Sequence, residues 1–237
     1  MFKVNKEFPV YALKNWYSVE PEHLERLIEI IIKNKEKHKH PQAASFWLMD
    51  DDDGTFELLY DKFFNFVQNE FKLTPTSDNT TICNIYYNKG SDAIEVLDPH
   101  GRQYYHTHKH IVSRSGNATT IAGVYYLNVP DTESGTIDFK IEEHLTENGP
   151  VNIGADMRYH QFSKRPYEII QGIKQSLIKE ITYQPITGDL VIFPSWLEHR
   201  PHKSIKPGHR IAVNFELKTQ EHPDEIFKEY DERKNFK

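Results

Sequence analysis

The sequence predicts a mainly β (α+β) protein: a β-sandwich or double-sheet jelly roll with helices packed on one face. Three observations carry this reading. Helical spacing dominates the first 79 residues, short β-branched and aromatic runs follow from residue 80, and turn residues punctuate those runs. A chain of 237 residues is long enough to bury a full core as one domain. Apolar residues make up only 38%, but 13 Tyr, 14 Phe and 3 Trp supply large buried areas, which places the chain among folded globular proteins.

The first helix is read from "PEHLERLIEIIIKNKEKHK", where Leu24, Leu27, Ile28, Ile31 and Ile32 recur at helical spacing. Pro21 stands near its start and Pro41 beyond its end. A second is read from "GTFELLYDKFFNFVQNEFKL", with Leu59, Phe63, Phe66, Val67 and Phe71 as the apolar stripe. The acidic run Asp50–Asp53 ahead of it reads as a solvated helix-start loop at the positive end of the helix dipole.

Strands are expected in "TTICNIYYN", "QYYHTHKHIV", "TTIAGVYYLNV", "GTIDFKI", "QSLIKEITYQP", "GDLVIFPS" and "HRIAVNFELK". Turn residues such as Asn88-Lys89-Gly90, Pro130-Asp131 and Pro207-Gly208 separate them. Residues 146–175 read as a long loop whose basic and aromatic stretch at 158–167 is a candidate lid or substrate-contacting segment. The expected organisation is one domain over 1–237, with a helical support region at 1–79, a β core at 80–217 and a charged C-terminal helix or tail at 218–237.

A net charge of −6 gives the molecule as a whole no attraction for phosphate backbones, so a nucleic-acid partner is not expected. The single cysteine, Cys83, excludes an intramolecular disulfide and a Cys-based zinc site, and its apolar setting reads as a buried structural thiol. No stretch approaches the ~20 apolar residues of a membrane span, and the N-terminal residues lack the unbroken apolar core of a signal peptide. The expectation is a cytoplasmic protein.

"QYYHTHKHIVSR" sets His106, His108 and His110 at every second position. On a strand, side chains at i and i+2 project together and can meet one ion at ~2.0–2.2 Å. The pairs His106/His108 and His108/His110 satisfy this equally. Two ligands bind weakly, so a third must come from elsewhere, and "GDLVIFPSWLEHRPHKSIKPGHRIAV" offers His199, with His202 three residues on. Arg210 follows His199 by eleven residues and opens the next strand. A carboxylate from the loop before the histidines (Asp92, Glu95 or Asp98) is a further candidate to complete the set. The competing reading is a polar strand whose imidazoles are solvated or satisfied in the core.

The segments "HTH", "IAGVYYLNVP", "SGTIDF" and "GDLVIFPSWLEH…HRIAVNFE" occur in that order between about residues 82 and 217. In them the chain resembles the Fe(II)/2-oxoglutarate-dependent oxygenases, and in particular the bacterial and phage group related to prolyl hydroxylases. The resemblance implies a double-stranded β-helix, a distorted jelly roll with iron held at one open end. It implies His106, His108 and His199 as metal ligands, with His110 as the alternative. Arg210 would anchor the far carboxylate of 2-oxoglutarate, with Tyr126, the second Tyr of "GVYYLN", assisting. Ser195 and Trp196 look structural. Most of the superfamily carries Asp or Glu where His108 stands, which removes the anionic ligand.

The implied activity is a dioxygenase using Fe(II), 2-oxoglutarate and O2 to hydroxylate a C–H bond of a protein or peptide residue or a small molecule, with release of succinate and CO2. Two alternatives differ in class. One is a three-His cupin-like dioxygenase that does not use 2-oxoglutarate; the other is a non-catalytic jelly-roll binding protein.

Overall fold

In the computed structural model the period-two runs form two antiparallel sheets that face one another, with helices covering the outer face of the larger sheet. The structure describes residues 1–38, 54–73, 84–89, 119–130, 132–133, 135–146, 149–152, 175–202, 208–219, 221 and 223–236. His106, His108, His110, Cys83, the acidic run at 50–53, the carboxylates Asp92, Glu95 and Asp98, and the stretch at 158–167 lie outside them.

The larger sheet contains β1 (Phe2–Asn5), β2 (Phe8–Leu13), β3 (Asn84–Lys89), β4 (Thr119–Asn128), β8 (Leu190–Pro194) and β10 (His209–Lys218), in the spatial order β1-β2-β8-β4-β10-β3. The smaller sheet is built on β5 (Ile137–Thr146) and β7 (Gln175–Tyr183). Two short strands, β6 (Gly149–Asn152) and β9 (Glu198–Pro201), also pair with β5, on its C-terminal and N-terminal halves respectively. The helices are α1 (Pro21–His38), α2 (Thr55–Phe71) and α3 (Pro223–Lys234).

Two expectations need correction. The region expected to be a helical support opens with a β-hairpin, and β2 extends the larger sheet through the pair Tyr11↔Ile192. "FPVYAL" carries aromatic and β-branched residues that pack on both faces, a strand signature that the helical reading passed over. The stretch expected to be a loop from 146 to 175 contains β6 and is entered by the last residue of β5. Glu143, His144, Leu145 and Thr146 find their partners on β6 only in three dimensions.

Alternation assigns each strand of the larger sheet to two cores. Ile121, Tyr125, Leu127, Ile192, Ile211, Val213, Phe215 and Leu217 face the helices. Ala122, Val124, Tyr126, Val191, Phe193 and Ala212 face the smaller sheet, where Ile137, Phe139, Ile141 and Tyr183 meet them. On α2, Leu59, Phe63, Val67 and Phe71 recur every four residues and are all buried. Phe71 stacks on Tyr230 of α3 with centroids 4.4 Å apart, and Phe227 stacks on Tyr11 at 5.5 Å. Tyr11 also donates to Asp231 at 2.6 Å, tying the hairpin to the last helix.

The closest approach of helix to sheet is at Gly123. A Cβ there would meet Phe63 Cε2 at 2.4 Å, and the Phe63 ring is held against Phe215, with centroids 4.5 Å apart. Glycine is required at this position by space, since the ring is stacked and cannot swing clear. Gly123→Ala is therefore expected to cost about 1–3 kcal/mol by overpacking. It should lower the urea midpoint at unchanged slope; an unaltered midpoint would show that α2 shifts freely.

Candidate active site

Of the residues singled out from sequence that fall within the described structure, Tyr126, Arg210 and His199 face the space between the sheets. Tyr126 lies on β4 and is paired in register with Ala212 of β10, two residues beyond Arg210 on the same face. Arg210 is 4% exposed, and its guanidinium carbon lies 5.4 Å from the Tyr126 ring centroid. His199, also 4% exposed, lies on β9 opposite Phe139 of β5. Its ring is 4.8 Å from that of Phe193, which is paired with Ala122 on β4. Tyr126 and Ala122 are four residues apart, roughly 13 Å along a strand. Arg210 and His199 thus mark two ends of one interior, and Val124, Val191 and Asn214 form the layer between them.

Local structure explains the placement of His199. Strand β8 ends at Pro194, and the Leu197 N–H closes a tight turn on the Pro194 carbonyl at 2.9 Å. Ser195 and Trp196 are buried in that turn, and the Trp196 indole N–H donates to Asp224 at 2.9 Å. The chain then reverses against β5. His199 Nδ1 is 3.0 Å from the Leu197 carbonyl oxygen, which can only accept, so Nδ1 carries the proton. In the neutral ring Nε2 then keeps the lone pair, the state a metal-binding imidazole needs. His202 is placed differently: its Nε2–H donates to Asp138 at 2.5 Å, and its side chain is 27% exposed.

At the other end the polar groups are left unfinished. The Tyr126 hydroxyl and Arg210 Nε are buried and find no well-aligned partner among the described residues, although the phenol and the guanidinium lie close enough to influence one another. Burial pushes the Tyr126 hydroxyl up to about 12, with the neighbouring Arg210 charge offsetting part of the rise, so it stays a protonated donor at neutral pH. Burial also lowers the Arg210 pKa, against the stabilising influence of Tyr126. No acidic side chain pairs with this guanidinium among the described residues. Asp189, fully buried nearby, is already engaged through one oxygen: it accepts from Lys14 at 2.6 Å, Tyr183 at 2.8 Å and the Ile186 N–H at 3.1 Å.

A buried cation beside two unused donors is costly unless an anion completes it. The donor set, a forked guanidinium and a phenol, suits a carboxylate. A buried imidazole is a usual ligand for a divalent metal. These residues fit the groups that the family resemblance implies. Among the described residues no three His, Cys, Asp or Glu side chains gather around one point, so a metal would draw its other ligands from outside them.

A family model described as "Putative 2OG-Fe(II) oxygenase" matches residues 94–216, just over half of the chain. The chain belongs to this family. As a 2-oxoglutarate/Fe(II) oxygenase it is an oxidoreductase that uses Fe(II), O2 and 2-oxoglutarate, the last as co-substrate. A comparison with curated proteins finds no match. Among solved structures, the non-heme α-ketoglutarate-dependent carbocyclase SnoK of nogalamycin biosynthesis aligns with a TM-score of 0.54 at 9% identity, covering 92% of this chain and 83% of that one. A Pseudomonas putida prolyl-4-hydroxylase aligns at 0.48 and 11% identity, covering 90% and 94%. At that identity the likeness to SnoK shows the fold alone, a double-stranded β-helix. No helix among the described residues is long and apolar enough to cross a membrane.

Sequence reasoning missed the polar cluster behind His199. Asp138 accepts from Thr182 Oγ1 and from Arg200 Nη2, each at 2.7 Å, as well as from His202. The signal was present in "EHRPH", where Glu198, Arg200 and His202 alternate with His199 and Pro201, but nothing in the sequence names the strand opposite. Burial pushes the Asp138 carboxyl up, yet the hydrogen bonds from Arg200, His202 and Thr182 outweigh it and hold it below the usual carboxylate range. The folded state therefore keeps Asp138 ionised where the unfolded chain has begun to protonate. Its contribution is full above about pH 4 and is lost as pH falls through the lowered folded value. Urea midpoints of the wild type and Asp138→Asn should differ at about pH 6 and begin to converge below about pH 4; a constant gap on acidification would contradict this.

Proposed function

We propose that the chain hydroxylates a C–H bond of a protein or peptide residue or a small molecule, with His199 as one metal ligand and Arg210 and Tyr126 as the anchor for 2-oxoglutarate. The observation that carries the reading is the Arg210 guanidinium: buried, unmatched by an acid among the described residues, and beside the equally buried phenol of Tyr126. The far carboxylate of 2-oxoglutarate supplies what both lack. His106 and His108, or His108 and His110, provide the remaining imidazoles in this reading. The same guanidinium favours it over a cupin-like dioxygenase without an oxoacid, which has no use for a buried cation at that depth.

Each residue has a definite task. Arg210 holds the carboxylate through parallel N–H donors, and Tyr126, protonated through the physiological range, adds a third donor without carrying charge. Val124, Val191 and Phe193 exclude water from the layer above. His199, its Nδ1 proton spent on the Leu197 carbonyl, presents Nε2 in a fixed direction. The chemistry supplied by Fe(II), when bound, is the oxidation of 2-oxoglutarate by O2 to succinate and CO2, with the second oxygen atom placed in the substrate.

Anaerobic titration with Fe(II) and 2-oxoglutarate should develop the weak visible charge-transfer band of a chelated 2-oxoacid. Arg210→Ala is expected to weaken 2-oxoglutarate binding roughly 10- to 100-fold, the worth of a charge-assisted hydrogen bond or more, while Mn(II) binding stays unchanged. Tyr126→Phe should cost about 5-fold. A wild-type protein that shows no band at saturating ligand, or an Arg210→Ala variant with unaltered affinity, would sink the assignment.

A further inference from the structure

We infer that Asp138 is a positioning residue for His199, acting from the opposite face of the sheet by clamping the short strand that carries it. The inference rests on the reading of His199 as a metal ligand. Strand β9 is four residues long and is joined to the rest of the described structure through a single neighbour, β5. Four Cα pairs set its register: Glu198 with Lys140, His199 with Phe139, Arg200 with Asp138, and Pro201 with Ile137. A ladder this short offers little resistance to a slip, and a slip of one residue would turn His199 from the interior to the outer face.

The outer face supplies the missing specification. Asp138 receives Arg200 and His202, the residues one and three positions after His199, on a single carboxylate oxygen at 2.7 and 2.5 Å. Its other oxygen receives Thr182 of β7 at 2.7 Å, which fixes the carboxylate against the third strand. The His202 N–H donates to the Thr136 carbonyl at 2.8 Å and closes the end of the pairing. One step along, Lys140 Nζ lies 2.7 Å from Glu198 Oε2 as an ion pair without hydrogen-bond alignment. Opposite charges therefore face each other only in the register that points His199 inward. After a one-residue slip Asp138 would oppose an imidazole-bearing or a proline position, and Arg200 would lose its acid. Asp138 is 8% exposed, while Arg200 and His202 reach it from partly exposed positions.

The test measures Mn(II) binding, as the redox-inert probe, by calorimetry in the full chain, together with urea stability. His199→Ala, Asp138→Asn, Arg200→Gln and Thr182→Val are compared with the wild type. Asp138→Asn and Arg200→Gln are expected to weaken Mn(II) binding roughly tenfold, the scale seen when groups that orient a metal ligand are removed. Thr182→Val should leave affinity within about twofold while lowering the urea midpoint, because the carboxylate keeps Arg200 and His202. The charge-transfer band of the Fe(II)/2-oxoglutarate complex should also shift or broaden in Asp138→Asn and not in Thr182→Val. If Asp138→Asn does not fold, Arg200→Gln, altered at a partly exposed side chain, decides the matter alone. Unchanged affinity in Asp138→Asn and Arg200→Gln, with affinity lost in His199→Ala, overturns the positioning role. Unchanged affinity in His199→Ala overturns the ligand assignment on which it rests.

Discussion

Register in the larger sheet is the constraint on which the rest of the molecule depends. Strand β10 serves two cores at once: Ile211, Val213, Phe215 and Leu217 pack under the helices, while Arg210, Ala212, Asn214 and Glu216 face the smaller sheet. A shift of one residue would push a guanidinium into the aromatic cluster around Phe63 and turn the apolar set toward the smaller sheet. Its neighbours hold the register from both sides, with β4 and β3 paired along its length. The helical layer adds a lock of its own, since Phe63 lies over Gly123 and stacks on Phe215 of the sheet.

Within that frame the chamber combines an apolar wall with a few isolated polar groups. Val124, Val191, Phe193 and Phe139 lower the local polarity, which raises the cost of the Arg210 charge and of the unused Tyr126 hydroxyl. The same low polarity strengthens an electrostatic contact made there relative to one at the surface. Asp189 shows the contrasting solution. It is as deeply buried, but three donors converge on one of its oxygens and fix it as part of the scaffold between the β4 and β8 ends. Lys14 pairs with the buried Asp189 charge, whereas no acidic side chain among the described residues pairs with Arg210.

The two faces of the smaller sheet divide their work in a similar way. Its inner face carries Phe139 and His199, and its outer face carries alternating charges on β5 and β9. On so short a strand His199 gains little direction from backbone pairing alone. The Nδ1 contact to Leu197 fixes the rotation of the ring, and the outer charges fix the strand.

By itself the sequence determined the periodicities: α1 and α2 from their apolar stripes, and strands β3, β4, β5, β7, β8 and β10 from their β-branched and aromatic runs. It also supplied the family through an ordered set of short motifs, with His199, Arg210 and Tyr126 as residues to watch. These features are local or depend on linear spacing, so they survive in one dimension. Tertiary structure alone decided that the first thirteen residues extend the larger sheet, that β6 and β9 share the edge of β5, and that Asp138 meets Arg200 and His202. It alone showed that His202 turns to an acid while His199 turns inward. Such facts rest on which strands become neighbours across more than sixty residues of chain, and on which buried groups find partners there. No local pattern encodes either, because pairing and burial are properties of the packed molecule.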